Sequence, residues 1–335
     1  MAQATNYMPS ANVSVWFQAE AVVGTEADDA GLKKLQCTGY TIPEASMPLE
    51  YSAQRVGQFT NVESQGHHSQ GTKLWTFDTT LKGTVDSINL ACLSVFEDGD
   101  GNNELSSTYI FPTTGYTVAT GSGAKTFDIR FVNAGTKAAA ETIECAGCVG
   151  TGFTLSEDIG SEGGELTVTI SWATGFMPVH SATDITSAAY DTGTPKNIRS
   201  LVAASSEIES GNDMVIQSWE LSCSRTIERV HYSDTTNGAY HPFGYAMTGQ
   251  FEVTGSMTVI RNDDVHDLLA KFYDGSTVDI NLAESSGFTV TLNRCFIGES
   301  SVDSGGAVLM QTIPFTAVGA NDISSASTVL GIAAS

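Results

Sequence analysis

The sequence predicts a mainly β protein with two tandem β-sandwich or barrel domains, each with one short α-helix, and with long loops. The first observation is strict alternation of apolar and polar residues, as in "FEVTGSMTVI" at 251–260, which is typical of a strand buried on one face. The second is composition, since 33 glycines and recurrent threonine-rich runs favour strands and turns over long helices. The third is an internal repeat of this pattern about half a chain apart.

Three sequence blocks recur in the same order, which indicates a duplicated domain. In the first block "WTFDTTLKGTVD" resembles "FEVTGSMTVI", with Gly83 aligned on Gly255. The second block pairs "FEDG" with "FYDG", and the third is a cysteine followed by an acidic turn that ends in Gly-Gly and then a strand. The predicted boundaries are an N-terminal arm at 1–31, a first copy at 32–175, a connection at 176–206, a second copy at 207–320 and a C-terminal arm at 321–335.

In the first copy, a long polar loop at 60–73 precedes a two-faced strand at 75–86. Loops of more than about 12 residues are usually functional or disordered. The segment "VDSINLACLSVFEDG" then fits a short helix. Its apolar stripe is Ile88, Cys92, Val95 and Phe96. A further alternating strand, "ELTVTISW", spans 165–172.

In the second copy, residues 214–232 are predicted to be extended, and residues 233–244 form a loop before the strand at 251–260. The helix that follows, "NDDVHDLLAKFYDG", has Asn262 or Asp263 as its N-cap and a glycine just beyond its end. Its apolar stripe is Val265, Leu268, Leu269 and Phe272.

The polar positions of the alternating strands are small hydroxyls with a few charged residues. A half-buried strand turns one face to water, so we predict that these side chains share a solvent-facing surface while Trp75 and Trp172 point inward. The predicted surface residues are Asp78, Thr80, Lys82, Thr84, Glu165, Thr167, Thr169, Glu252, Thr254, Ser256 and Thr258.

The chain is strongly acidic, with 15 Lys and Arg against 38 Asp and Glu and a formal net charge of −23. This field repels phosphate and excludes a protein that grips a nucleic-acid backbone, although DNA could still slide past such a surface. The sequence shows no secretory signal pattern and no run of about 18 apolar residues, so no membrane partner is expected. The six cysteines are expected to be reduced thiols of a protein made in a cytoplasm.

Three motifs suggest a metal or redox site but lack the required spacing. "DGDGNNE" at 98–104 lacks the glycine and glutamate that an EF-hand needs at its sixth and twelfth positions, so we interpret it as a turn. "CAGC" at 145–148 has no second cysteine pair to complete a zinc site. His67 and His68 stand without neighbouring ligand residues. No catalytic motif is recognised, and we predict neither an enzyme nor a cofactor.

The order of strand, long loop, two-faced strand, short capped helix and closing strands resembles the tail tube proteins of tailed bacteriophages. The resemblance lies in "WELSCSRTIERVHY", "MTGQFEVTGSMTVIRNDDVHDLLAKFYDG" and "VLMQTIPFTAVG". It implies a structural virion protein whose sheets join those of its neighbours around a lumen, in stacked rings through which the genome passes. A duplicated member implies homotrimeric rings with pseudo-sixfold symmetry, with hexameric rings as the alternative.

The resemblance also implies partners and roles. The partners are the tape measure protein, tail completion and baseplate proteins, and DNA that passes without specific binding; the protein resides in the virion tail after synthesis in the host cytoplasm. The solvent-facing strand residues become candidates for facing the lumen. The candidates for loop contacts between subunits are Asn61, Gln65, His67, His68, Gln70, Asn237, Tyr240 and His241.

Two other classes of protein stay open at this point. A tail terminator or capsid decoration protein would form isolated rings or bind capsid vertices without stacking. A carbohydrate-binding or adhesin-like β-sandwich would expose aromatic side chains, whereas Trp75 and Trp172 are predicted to point inward.

Overall fold

The computed structural model describes most of the chain, and within that part the protein is mainly β, sandwich-like and has two helices, which confirms the predicted fold class. The described residues are 13–20, 23–24, 31–43, 49–51, 66–68, 73–96, 109–110, 117–118, 126–133, 142–160, 162–181, 189–202, 205–209, 213–230, 244–249, 251–262, 271–319 and 329–334.

The elements of the first half are β1 Val13–Ala19, β2 Lys33–Lys34, β3 Cys37–Tyr40, β4 Leu49–Tyr51, β5 Gly66–His68, β6 Trp75–Lys82, α1 Val85–Val95, β7 Tyr109–Ile110, β8 Thr117–Val118, β9 Phe127–Asn133, β10 Thr142–Asp158, β11 Thr167–Thr174, β12 Val179–Ser181 and β13 Ala189–Tyr190. Those of the second half are β14 Glu207–Ile208, β15 Ile216–Ser224, β16 Ile227–Val230, β17 Gly244–Met247, β18 Glu252–Ile260, a helix α2 described over 271–274, β19 Thr277–Ala283, β20 Thr289–Ile297, β21 Ser301–Asp303, β22 Met310–Ala317 and β23 Leu330–Ala333.

Two layers of antiparallel strands enclose the core. The front sheet has the strand order β3–β6–β11–β10–β15–β18–β22–β21. The back layer consists of β1 and β9, which continue onto the first part of β10, and of β14, β19, β20 and β23. Aromatic contacts join the layers, with Phe77 5.7 Å from Phe131 and Phe17 6.2 Å from Trp172. The pairings among the described strands do not return to their starting strand, so the front sheet is open.

The strand pairings of the first half recur in the second half with the same register. β6 and β11 form eight residue pairs from Lys82–Thr167 onward, and β18 and β22 form eight pairs from Ile260–Met310 onward. In each half the closing strand then pairs with a strand that carries a cysteine: Cys148 lies opposite Thr174, and Cys295 lies opposite Ala317. We call β1, β3, β6, α1 and β9–β11 the first repeat, and β14, β15, β18, α2 and β19–β22 the second repeat.

Two irregularities also recur at equivalent places. β3 carries a bulge in its pairing with β6, and β15 carries one in its pairing with β18. β10 and β20 each carry a left-handed residue one position before the repeated cysteine, Gly147 at φ 60° and Arg294 at φ 59°. The N–H groups of these residues donate to the carboxylates of Glu20 and Asp279. Because bulges set local register, their repetition supports a common origin of the two halves.

The predicted alignment of Gly83 on Gly255 is wrong. Gly83 follows the last residue of β6, whereas Gly255 lies in the middle of β18. The N–H of Gly83 donates to the carbonyl of Leu166 as the N–H of Arg261 donates to Leu309, so Arg261 is the counterpart of Gly83. The shift is an even number of residues, so the assignment of strand faces is unaffected.

The predicted strand at 75–86 ends at Lys82, and a helix follows directly. Thr84 is the N-cap of α1 and forms a capping box with Ser87, which starts the helix. The helix predicted for this slot is therefore confirmed. In α2, Phe272 of the predicted apolar stripe is 40% exposed, and the other members, Val265, Leu268 and Leu269, lie outside the described residues.

The predicted terminal arms and connection are more structured than expected. β1 places Val15 and Phe17 in the core, and β23 places Leu330 and Ile332 there. Both strands lie far in sequence from their partners β9 and β20, so local patterns did not indicate their pairing. Within the predicted connection, β13 pairs with β2, and the N–H of Leu166, just before β11, donates to the carbonyl of Lys196. A short 3-10 turn follows at Ile198–Ser200.

Candidate functional surface

The side of the front sheet away from the core is paved with small hydroxyl groups, and we call it the hydroxyl face. Its largest feature is a row that crosses six consecutive strands and both repeats in one register. The members of the row are Thr80, Thr169, Thr154, Ser222, Thr254 and Thr316. Neighbouring hydroxyls approach each other, with 3.4 Å between the Oγ1 atoms of Thr80 and Thr169 and 3.1 Å between those of Thr258 and Thr312. Hydroxyl groups that already hydrogen-bond to each other bind a passing ligand only weakly.

The charge on this face is acidic. Asp78, Glu220 and Glu252 are exposed on it. The lysine of β6, Lys82, is already engaged, since its Nζ donates to Glu165 over 2.8 Å. The face therefore combines a surplus of carboxylates with hydroxyls.

Among the predicted surface residues, Thr84 is wrong. Its side chain is fully buried as the N-cap of α1, and its hydroxyl donates to the Asp191 carboxylate over 2.6 Å. The other members lie on the solvent side of β6, β11 and β18 or, for Glu165, just before β11. Sequence reasoning missed the contributions of β10, β15 and β22: Thr154, Ser156, Ser218, Glu220, Ser222, Thr312 and Thr316. The alternation in "FTLSED" and "IQSWELSCS" is the signal that would have found those on β10 and β15.

The two repeats meet in a ladder of seven residue pairs between β10 and β15. Leu155 and Leu221 face each other there and are buried. Just beyond the ladder, Arg225 is buried and fixes the end of β15 to the first repeat. Its guanidinium donates to the carbonyls of Gly150, Val95 and Ser94 over 2.8–3.0 Å. Two of these carbonyls are at the C-terminal end of α1, where a cation is favoured by the helix dipole.

On the core side of the same joint lies a pair of buried carboxyl groups. The indole N–H of Trp219 donates to Glu157 over 2.5 Å, and Glu284 accepts from the hydroxyl of Ser286 over 2.7 Å. Burial raises the pKa of Glu157, and the neighbouring charge of Glu284 raises it further. Lys196, also buried, donates to the carbonyl and the hydroxyl of Ser286, which carries the proton that Glu284 accepts. The protonated form of Glu157 is thus favoured in the folded protein.

The loop candidates are mostly outside the described residues. This holds for Asn61, Gln65, Gln70, Asn237, Tyr240 and His241. His67 and His68 belong to β5, which pairs with β4, so the polar segment 60–73 contains a strand that was predicted as loop.

The six cysteines are free thiols, and burial raises their pKa values, that of Cys37 to about 11 and that of Cys295 to about 12. The residues described contain no cluster of ligands suited to a metal ion. The motif at 98–104 is outside the described part. Within that part, no helix has the length and hydropathy needed to cross a bilayer.

Comparison with known proteins gives one match across nearly the whole chain. The profile of the family described as "Phage tail tube protein" matches residues 8–317. Among solved structures, a chain from the tail of an empty GTA particle, refined helically with C6 symmetry, is 12% identical. The match covers 38% of this chain and 85% of that chain, with a TM-score of 0.24. No curated protein sequence matches this chain.

Proposed function

The chain belongs to the phage tail tube protein family, and we propose that three copies of it form a ring that stacks into the tail tube. It is a structural protein of the viral tail. Each ring would contain six repeats, and the hydroxyl face would line the lumen through which the genome passes. The observation that carries this proposal is the internal joint between β10 and β15, because the chain holds a second, unused pair of matching edges.

The unused edges are identified by the repeated register. In the first repeat Thr154 lies opposite Thr169, and at the equivalent place in the second repeat Ser301 lies opposite Thr312. β21 is therefore the counterpart of the part of β10 that pairs with β15. The bulge shared with β15 makes β3 the counterpart of β15. No strand pairs with the outer edge of β21 or of β3 among the described residues.

Burial agrees with this assignment. Val302 is the counterpart of Leu155, and it is 46% exposed while Leu155 is fully buried. Ile42, the counterpart of the buried Leu221, is only partly buried. If β21 of one chain pairs with β3 of the next in the register of the internal joint, Val302 lies opposite Ile42. Exposed strand edges are otherwise an aggregation hazard, and ring closure removes them.

A second contact recurs around the ring under this proposal. The β16–β17 hairpin of the second repeat covers Val149 of the first repeat, chiefly through Ile227 and Tyr245. The counterpart of Val149 is Phe296, which is 45% exposed. In chain order the β4–β5 hairpin lies between β3 and β6, as the β16–β17 hairpin lies between β15 and β18. We therefore assign the segment that carries His67 and His68 to the contact with Phe296 of the neighbouring chain.

Further features of the proposal follow from the family. The boundaries 32–175 and 207–320 stand as proposed domains, with β1 added to the first and β23 to the second. The tape measure protein, tail completion proteins and baseplate proteins are the proposed partners in the virion, after synthesis in the host cytoplasm. Hexameric rings of six chains are the alternative assembly.

A cysteine pair tests the ring directly. Directly opposite residues of antiparallel strands have Cβ atoms about 4.5–5.5 Å apart. A disulfide needs about 3.5–4.5 Å, so a small movement of the strands brings the two sulfurs together. Under mild oxidation we expect the Val302→Cys, Ile42→Cys double variant to give covalent species of up to three chains on a denaturing gel. Cryo-electron microscopy of the same sample should show rings with threefold symmetry.

Two controls define the outcome of the cross-linking. The Val302→Cys, Thr41→Cys variant shifts the register by one residue and reverses the strand face, so little cross-linking is expected. The parent protein measures the background from Cys37, whose raised pKa keeps it slow to react near pH 8. Covalent species of more than three chains would favour the six-chain ring, and rings without any cross-link would reject the β21–β3 joint.

Charge reversal on the hydroxyl face tests its role as a lumen. The Asp78→Lys, Glu252→Lys variant places two cations per chain where we propose that DNA passes. Because cationic surfaces gain affinity by releasing counterions, we expect its rings to bind a short DNA duplex, with an affinity that falls steeply between about 50 and 200 mM salt. Fluorescence anisotropy of a labelled duplex measures this.

The matched control for charge is the Glu228→Lys, Asp274→Lys variant, which makes the same change at exposed residues outside the front sheet. The parent rings and this control should bind much more weakly. Equal binding by the two lysine variants would show that the hydroxyl face is not the surface that DNA meets.

A further inference from the structure

An apolar groove lies at one end of the front sheet, mainly in the second repeat. It is formed where β15 begins, β18 ends and β22 begins. Its lining residues include Ile159, Val215, Ile216, Ile260, Val308 and Met310. Several of its side chains are unusually exposed for their type: Val215 is 53%, Val308 50% and the adjacent Leu309 47% exposed.

The first repeat shows how the equivalent place is covered. Leu166 is the counterpart of Leu309, and it is fully buried. An extended segment of the connection lies over it: the N–H of Leu166 donates to the carbonyl of Lys196 over 2.8 Å, and the N–H of Lys196 donates to Gly83 over 2.9 Å. Ile198, from the same segment, is buried against the core.

The positions beneath that segment are also polar in the first repeat. Gln36 is the counterpart of Val215, and its side-chain amide donates to the carbonyl of Gly193 over 2.8 Å. Lys82 and Glu165, the counterparts of Ile260 and Val308, form an ion pair. The second repeat has apolar residues at all three positions, and none of the described segments takes the place of 191–198 there. An apolar patch without its cover marks a contact surface.

The place of the groove identifies its occupant. A ring joined through strand edges leaves strand ends on its two rims, and the groove lies on the rim where β15 and β22 begin. The β16–β17 hairpin follows the other end of β15, so it lies on the opposite rim. When rings stack head to tail, these two rims meet.

We propose that the groove is the stacking site of the tube and is filled by the hairpin rim of a second copy of this chain in the next ring. This inference rests on the proposed function and deepens it. The first repeat fills its own groove with 191–198, so each ring offers three apolar stacking sites rather than six. The tube is therefore threefold at its ring-to-ring contacts, although its lumen is pseudo-sixfold.

The test separates ring formation from stacking. The Leu309→Glu variant places a charge at the exposed edge of the groove, just beyond the last pair of the β21–β22 ladder, Asp303–Met310. We expect its rings to form, with the same covalent trimer in the Val302→Cys, Ile42→Cys background. Stacking into tubes should require a protein concentration about tenfold higher or more, because each contact would bury a charge. Sedimentation velocity and electron microscopy measure rings and tubes separately.

Val179→Glu is the matched control, since Val179 is 46% exposed on β12 and is outside the groove. It should stack as the parent does. If Leu309→Glu rings stack at the parent's concentration, the stacking site is wrong while the ring stands. If the parent forms no rings, the proposed function fails and this inference fails with it.

A labelling experiment gives a second readout. Cysteine at position 309, introduced as Leu309→Cys, should react with a maleimide in single rings and be protected in tubes. Equal reactivity in both states would overturn the proposal, even if the glutamate variant fails to stack.

Discussion

Replacement of Arg225 by methionine is expected to lower the free energy of unfolding by about 3–5 kcal/mol, the range for breaking a buried, hydrogen-bonded charge contact. The guanidinium reaches three carbonyl groups of the first repeat from the end of β15. Methionine fills much of the same volume but donates no hydrogen bond, so these carbonyls would be left buried without a donor. Each such group costs about 1–3 kcal/mol.

The effect should be specific to the joint between the repeats. Arg225→Lys keeps the charge but not the planar fork, so an intermediate loss is expected. Arg199→Met, which removes an exposed arginine outside the joint, should change stability by less than about 0.5 kcal/mol. Urea unfolding of the three variants and the parent measures the differences. A loss below about 1 kcal/mol for Arg225→Met would mean that the joint does not depend on this clamp.

Local patterns predicted those features that depend on one segment at a time. Alternation identified β6, β11 and β18, and the extended segment predicted at 214–232 contains β15. The repeat and an apolar stripe indicated α1, and helix punctuation indicated α2. The solvent side of each of these strands followed from the alternation of side chains along it. The wrong alignment of Gly83 on Gly255 did not change that assignment, because the alignment was shifted by an even number of residues.

Features that depend on two distant segments were not predictable in this way. The first-repeat strand β1 pairs with β9 across more than 100 residues, so its apolar side chains looked like part of an arm. Thr84 continues the alternation of polar residues along β6 and was therefore predicted to face solvent. Thr84 and Ser87 instead form a capping box, and the distant contact of Thr84 with Asp191 stabilises the cap. Phe272 fitted an apolar stripe, yet the described protein leaves it exposed.

The joint shows the same limit at the level of function. The contacts between chains become recognisable only when the two repeats are aligned by their strand registers. That alignment is what assigns roles to Arg225, to Glu157 and to the free edges of β21 and β3. A single sequence gives the strands but not their neighbours, and the neighbours decide which edge is free. This is why the hydroxyl face could be predicted in part and the contacts between chains could not.

Replacement of Glu157 by glutamine is expected to stabilise the protein at neutral and alkaline pH. Burial, followed by the charge of Glu284, raises the pKa of Glu157 from 4.5 to about 9. A carboxyl group with a raised folded-state pKa contributes stability that is fully present below its unfolded pKa and is lost as pH rises toward the folded value. The parent should therefore lose stability between about pH 4.5 and pH 9, because folding must hold a proton that the unfolded chain releases.

Glutamine reproduces the protonated acid without binding a proton. Its carbonyl can accept from the indole of Trp219, and its amide can donate to Glu284. At about pH 4.5 the variant and the parent should be equally stable. At pH 7 the variant should be more stable by roughly 3 kcal/mol, since each pH unit above the unfolded pKa contributes about 1.4 kcal/mol.

Urea unfolding at several pH values between about 4.5 and 9 tests this linkage, with Glu220→Gln as the control on the neighbouring strand. Glu220 is exposed on the hydroxyl face, so its replacement should leave the pH dependence of the parent unchanged. Parallel pH profiles for Glu157→Gln and the parent would show that Glu157 is ionised in the folded protein. A slope that disappears only in Glu157→Gln would place the proton at the joint, where it offsets the repulsion between Glu157 and Glu284 and allows the two repeats to close.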